Sequence, residues 1–221
     1  IDLRSGLLRG FEALLRWQHP QRGLLTPDHF IRVAEDTGLI LELDRWVLRA
    51  ATQQLHAWTK ESWPASTLYL SVNMSGRHFG RRNIIPELRA LVSEFDLRPG
   101  QLNLELTESA LMGQSQGIGK TLCQIRDLGV NLHLDDFGTG YSSLSYLQAY
   151  PLNTLKIDRS FVQHMVPGGR DAELVRTIIT MSKNLRLEVT AEGIETEEQL
   201  ELLRLLHCDF GQGYYFSPPL D

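Results

Sequence analysis

Val130-Asn131-Leu132-His133-Leu134-Asp135-Asp136-Phe137-Gly138-Thr139-Gly140 is a short apolar run that ends in two adjacent carboxylates and then turns. Neighbouring residues in a strand point to opposite faces. Two consecutive aspartates therefore serve one site only where the strand ends, and Phe137-Gly138-Thr139-Gly140 supplies the turn. The same pattern recurs on both sides of this stretch. Leu68–Met74 carries Asn73, and Leu102–Thr107 carries Glu105 and leads into Glu108. Thr154–Asp158 carries Lys156 and Asp158, and Leu187–Ala191 runs into Glu192 and Glu195. Leu7–Leu15 contains Glu12, and Phe210–Phe216 contains Gln212.

Between these strands lie segments with apolar residues at i, i+3 and i+4, the period of an amphipathic helix. They are Leu43–Trp58, Ile84–Phe95, Lys120–Leu128 and Asp171–Leu185. Thr26-Pro27-Asp28 reads as a helix start, with a capping side chain and proline in the first turn. Thr196-Glu197-Glu198-Gln199 fits a capping box that opens a helix through Leu206. Strand and helix in alternation imply a parallel sheet with right-handed crossovers. No glycine-rich dinucleotide turn follows the first strand. The expectation is an α/β fold, a TIM-type (βα)8 barrel with its first strand missing. At 221 residues the chain is short for a barrel, which normally takes about 250. It reads as one domain, 1–221, cut at both ends from a longer protein.

The composition is ordinary for a globular chain, 42% hydrophobic and 22% charged. A formal net charge of −5 offers no general basic field for long nucleic acid. No apolar run is long enough to span a bilayer, and no signal peptide is visible. Cys123 and Cys208 sit beside apolar residues and far apart, which suits reduced, buried thiols in a cytoplasmic protein. The seven histidines show no metal-ligand spacing, and His133 reads as a barrel-interior residue.

In a parallel barrel the C-terminal strand ends converge on the active-site mouth. Carboxylates crowded there repel and raise one another's pKa unless a cation sits among them. Lys156 can serve one or two of them, and the excess calls for a metal. A ligand set of oxygen donors suits a hard ion such as Mg²⁺ or Mn²⁺. Two such ions about 3.5–4 Å apart are a recurring solution for phosphodiester cleavage. Each residue alone has a plainer reading: Asn73 as a helix cap, Lys156 as an ion-pair partner, a lone Glu as a rim salt bridge. Phe137, Tyr141 and Tyr214 read either as stacking surfaces or as core. A glycosidase needs only two flanking carboxylates, and an enolase-type lysine site would not require Asp135-Asp136 adjacency.

The ordered set of motifs resembles the EAL family of cyclic-di-GMP phosphodiesterases over essentially the whole chain. The matching residues are Glu12-Ala13-Leu14 within Gly10–Trp17, Ser71-Val72-Asn73, Glu105-Leu106-Thr107-Glu108 and Asp135 through Leu144. Leu155-Lys156-Ile157-Asp158, Ala191 through Thr196 and Gln212-Gly213-Tyr214 complete it. The resemblance implies a cyclic-guanylate-specific phosphodiesterase that hydrolyses cyclic di-GMP to linear pGpG with a metal-activated water. It implies Glu12, Asn73, Glu105 and Asp135 as ligands of a first ion, and Asp135, Asp136 and Glu192 as ligands of a second. It further implies Lys156 at the attacking water and Glu108 as anchor of the loop Phe137–Ser143. Glu195 and Gln212 match further active-site positions, and Leu14, Arg16, Asp136, Lys156 and Gln212 match substrate contacts. It also implies a homodimer through the region after the Asp135-Asp136 loop, with a helix near Ser143–Tyr150. Sensor or GGDEF-type domains are expected upstream. Family members begin with a further strand carrying a Gln-Pro-Ile-type segment, which is absent here. The rival within the family is a catalytically inactive cyclic-di-GMP receptor, which typically lacks metal ligands or the loop glutamate; all are present here.

Overall fold

A computed structural model describes residues 1–60, 68–79, 84–112, 118–138 and 144–220. In chain order the elements begin with β1 (Gly10–Ala13), β2 (Trp17–His19) and β3 (Gly23–Leu25). A 3-10 turn at Pro27–His29 leads to α1 (Ile31–Thr37), α2 (Ile40–Lys60) and β4 (Tyr69–Asn73). Then come α3 (Gly76–Phe79), α4 (Ile84–Glu94), β5 (Leu102–Thr107), α5 (Glu108–Met112) and α6 (Ile118–Asp127). The remainder is β6 (Asn131–Phe137), α7 (Leu144–Ala149), β7 (Thr154–Ile157), α8 (Arg159–Gln163), α9 (Arg170–Asn184), β8 (Glu188–Ala191), α10 (Glu197–Leu205) and β9 (Phe210–Gly211).

The chain divides into two compact units. The first comprises Gly10–Leu106 and Ala110–Asn131, the second Ile1–Arg9, Thr107–Ser109 and Leu132–Asp221. In the first unit β1, β4 and β5 pair in parallel, with Glu12 opposite Ser71 and Asn73 opposite Glu105. Helix α2 packs on β4, and α4 packs against α6. The buried faces follow the helical period: Leu48, Ala51, Thr52 and Leu55 on α2, and Ile84, Leu88 and Leu91 on α4. Each fully buried leucine contributes roughly 1.5–3 kcal/mol. In the second unit β6, β7, β8 and β9 pair in parallel, and α9 packs on β7 and β8. The expected helices agree to within a few residues. The capping box at Thr196 forms in full, with Thr196 and Gln199 satisfying each other's backbone N–H.

Several elements differ from the sequence reading. The Thr26 side chain makes no bond to the backbone of the turn it precedes; its Oγ1 lies 3.1 Å from His29 Nδ1, and the α-helix begins only at Ile31. Residues Trp17–Leu25 form an antiparallel hairpin that hydrophobic alternation did not reveal. Its signal is the turn chemistry of Pro20 and Gly23, the latter at φ 71°. The last strand is two residues long instead of seven, because the chain folds back so that Tyr215 N donates to Ile194 O. The edge of β9 is not bare: Asp2 forms an antiparallel bridge with Phe210, and Leu3, 1% exposed, donates its N–H to Asp209 O. Cys208 is buried as expected but Cys123 is exposed, one position beyond the Leu122 that faces the core. Among the described residues no helix is long and apolar enough to cross a membrane.

Candidate active site

Each unit carries one group of the anticipated residues at its strand ends. In the first unit, Glu12 on β1 and Asn73 at the end of β4 meet directly, with Asn73 Nδ2 donating to Glu12 Oε1 at 2.7 Å. Asn73 lies two residues beyond Ser71, the register partner of Glu12, and so on the same face of β4. Glu105, buried on β5, is the register partner of Asn73, and its carbonyl accepts the Met74 N–H at 3.0 Å. Three oxygen-bearing side chains thus come from three adjacent strands.

In the second unit the register between β6 and β7 slips. Leu134 pairs with Leu155 and Phe137 with Ile157, so β6 spends one residue more than β7 over this span. The extra residue is a bulge, which bends the strand and re-aims a side chain. Asp136 sits in the left-handed region, at φ 55°. This resolves the adjacency of the two aspartates one step earlier than expected. The bulge within β6 brings Asp135 and Asp136 to one side, before the strand ends at Phe137. Gly138 follows at φ 98°, where a Cβ would approach the Phe161 ring to 2.9 Å.

Ligand oxygens of Asp135, Asp136 and Glu192 lie within 4.8 Å of one another. Lys156, the bulkiest of the fully buried side chains at 2% exposure, reaches into this group. Its Nζ is 2.7 Å from Glu192 Oε1 and 3.2 Å from Asp135 Oδ1. Gln212 Nε2 donates to the same Glu192 Oε1 at 2.9 Å, and the Asp136 N–H donates to Asp135 Oδ1 at 3.0 Å. Among the described residues of this group, three carboxylates against one ammonium leave a formal excess of two negative charges. Like charges this close are relieved by a cation. The donor set, oxygens alone, fits a hard divalent ion and not a soft one.

The remaining site candidates fall as follows. Glu108 is buried at the start of α5, and the loop it was expected to anchor lies outside the described residues from 139 to 143. Glu195 is exposed, and its backbone N–H donates to Gln199 Oε1 at 2.7 Å. Arg16 is half-buried with Nη1 on Leu15 O at 2.8 Å, and Leu14 is exposed. Asp158, another acidic strand end, is a helix cap, accepting the Ser160 N–H at 3.0 Å. Phe137 is buried, Tyr214 is exposed rather than core, and Tyr141 lies outside the described residues. His133 is buried, as expected.

Parallel βα units with carboxylates and a buried lysine at their strand ends place the chain among the barrel-type α/β proteins with an acidic strand-end site. The family model described as the EAL domain matches residues 1–219. The chain belongs to the EAL domain family. It is 44% identical over 220 residues to the cyclic di-GMP phosphodiesterase NbdA of Pseudomonas aeruginosa, covering all of this chain and 28% of NbdA. It is 39% identical to the bifunctional diguanylate cyclase/cyclic di-GMP phosphodiesterase MucR of the same organism, covering 98% of this chain and 31% of MucR. The chain thus spans under a third of these relatives' length. Among solved structures, the PaMucR phosphodiesterase in complex with c-di-GMP superposes with TM-score 0.91 at 38% identity, covering 100% of this chain and 88% of that one. The EAL domain of Mycobacterium smegmatis DcpA gives TM-score 0.82 at 32% identity, covering 100% and 87%. The α/β barrel-type fold expected from the strand–helix alternation is the fold of these domains.

Proposed function

We propose that this chain is a metal-dependent phosphodiesterase that hydrolyses cyclic di-GMP to linear pGpG. The observation that carries the reading is the close group of Asp135, Asp136 and Glu192 around the buried ammonium of Lys156. In this reading Glu12, Asn73, Glu105 and Asp135 hold one ion, and Asp135, Asp136 and Glu192 hold a second. Mg²⁺ or Mn²⁺, when bound, lowers the pKa of water and neutralises charge on the phosphoryl and leaving oxygens. The chain's own residues do the rest. Lys156 keeps a proton at Nζ, held in place by two carboxylates, and orients the attacking water. Gln212 fixes the rotamer of Glu192 through its amide. Arg16 takes a substrate phosphate, Leu14 packs beside it, and Asp136 also meets the substrate. Glu108 steadies the loop after the bulge, and Glu195 completes the rim. Cations fixed in advance where charge develops act without reorganising during the step. An acidic protein can thereby bind a doubly charged ligand.

The full protein carries further domains upstream, of sensor or GGDEF type, and this domain works in the cytoplasm as a homodimer through the region of α7. The alternative, a receptor that binds cyclic di-GMP without turnover, is separated by one experiment. The purified chain is incubated with cyclic di-GMP and Mn²⁺ or Mg²⁺, and pGpG is followed beside an EDTA blank and Glu12→Ala. Formation of pGpG that both controls abolish supports the enzyme. Saturable binding with the nucleotide left intact makes the domain a receptor.

A further inference from the structure

His78 lies outside the acidic groups described above, yet it is built into the element that follows one of them. Asn73 is the last residue of β4, and its side chain is exposed. A ligand so placed has its orientation set by the chain that follows it. That chain is α3, a single turn starting three residues later, too short to hold itself in place. Its anchors come from other helices. Ser75 Oγ donates to Glu35 Oε1 of α1 at 3.2 Å. Gly76 lies so close to α5 that a Cβ there would sit 2.9 Å from the Ala110 Cβ.

The strongest anchor is His78, 2% exposed, with both ring nitrogens facing carboxylates. Nδ1 is 3.2 Å from Asp44 Oδ2 on α2, and Nε2 is 3.3 Å from Glu87 Oε2 on α4. Glu87 in turn accepts from Arg45 Nε at 2.8 Å. Asp44 is itself buried, and its carboxylate also takes the backbone N–H of Ser75, two residues from Asn73. Burial pushes the Asp44 carboxyl above its ordinary range, against the pull of His78. A buried imidazole bridging two carboxylates is costly unless both contacts are kept, so the ring ties α3 to α2 and α4 with a single geometry.

We propose that His78 is a positioning residue for Asn73: by bridging Asp44 and Glu87 it fixes the turn after β4, and with it the amide that faces Glu12. Groups behind metal ligands typically change metal affinity or activity by 10–100-fold when removed. The inference rests on the reading of Asn73 as a metal ligand, and the two fail separately in one experiment.

Mn²⁺ binding to the chain is measured by calorimetric titration for wild type, Asn73→Ala, His78→Phe and the double variant, with kcat and KM for cyclic di-GMP alongside. If Asn73→Ala binds Mn²⁺ like wild type, the ligand reading fails whatever His78 does. With Asn73→Ala weakened, His78→Phe is expected to raise the Mn²⁺ Kd about tenfold. It should lower kcat more than it raises KM, and add nothing further in the Asn73→Ala background. His78→Gln, which keeps the contact to Glu87, recovers part of the affinity. It replaces His78→Phe in the cycle if that variant does not fold. Unchanged Mn²⁺ affinity in the His78 variant, or the same loss with and without Asn73, would overturn the proposal.

Discussion

Lys156 is the residue on which the chemistry of the second unit turns. An ammonium buried to 2% exposure needs carboxylates beside it, and Glu192 and Asp135 lie 2.7 and 3.2 Å away. Lys156→Met leaves those carboxylates without their cation. Urea unfolding in EDTA should then show a loss of about 3–5 kcal/mol. Mn²⁺ should stabilise the variant more than wild type. The thiols make a second prediction. Burial pushes the Cys208 thiol up to about 12, whereas Cys123 is exposed. At pH 8 a thiol reagent should therefore label one cysteine in the native chain and two in denaturant. Lys156 was legible in the sequence because a charged residue inside Leu155-Lys156-Ile157 must find partners. The exposure of Cys123 was missed, although Leu122 and Ile125 of the same helix set the buried face one position away from it.

At the scale of the element, the bulge in β6 matters most. It lets two consecutive aspartates serve one place, and it does so with Asp136 in a left-handed conformation. Asn and Asp tolerate that region, but a β-branched residue does not. Asp136→Asn should therefore melt close to wild type in EDTA yet lose the added stability that Mn²⁺ gives wild type. Asp136→Val should fall by about 1–2 kcal/mol even without metal. The capping box of α10 is a plainer case: Thr196→Ala should cost about 1 kcal/mol in urea unfolding. That box, and the helices carrying a clear apolar stripe, could be read from the sequence because their signals are local. The hairpin Trp17–Leu25 could not, because its strands of three residues are too short to show alternation. The bulge was half legible. The pair Asp135-Asp136 demanded an irregularity, but only the register with β7 places it inside the strand.

For the whole molecule, the governing facts are an acidic chain and acids drawn together at strand ends. The net charge of −5 gives no general attraction for a phosphodiester, which leaves its binding to bound cations and a few placed residues such as Arg16 and Lys156. Glu12, Asn73 and Glu105, the proposed ligands, stood out in the sequence because each is a polar residue inside or at the end of an apolar run. Which strand-end acids are structural was not, as Asp158 shows by capping α8. Added divalent ion should raise the melting point, with a gain near 2.7 kcal/mol at a hundred times its Kd. Sedimentation across a range of concentrations should show a dimer; a monomer mass throughout would remove the proposed contact near α7. The most direct test of the central claim is to titrate Mn²⁺ into the metal-free chain and follow pGpG release from cyclic di-GMP in the same samples. The account predicts saturable binding of two ions per chain, with hydrolysis rising as the sites fill and vanishing in EDTA. Hydrolysis that continues in EDTA, or two bound ions with the nucleotide left intact, would contradict it.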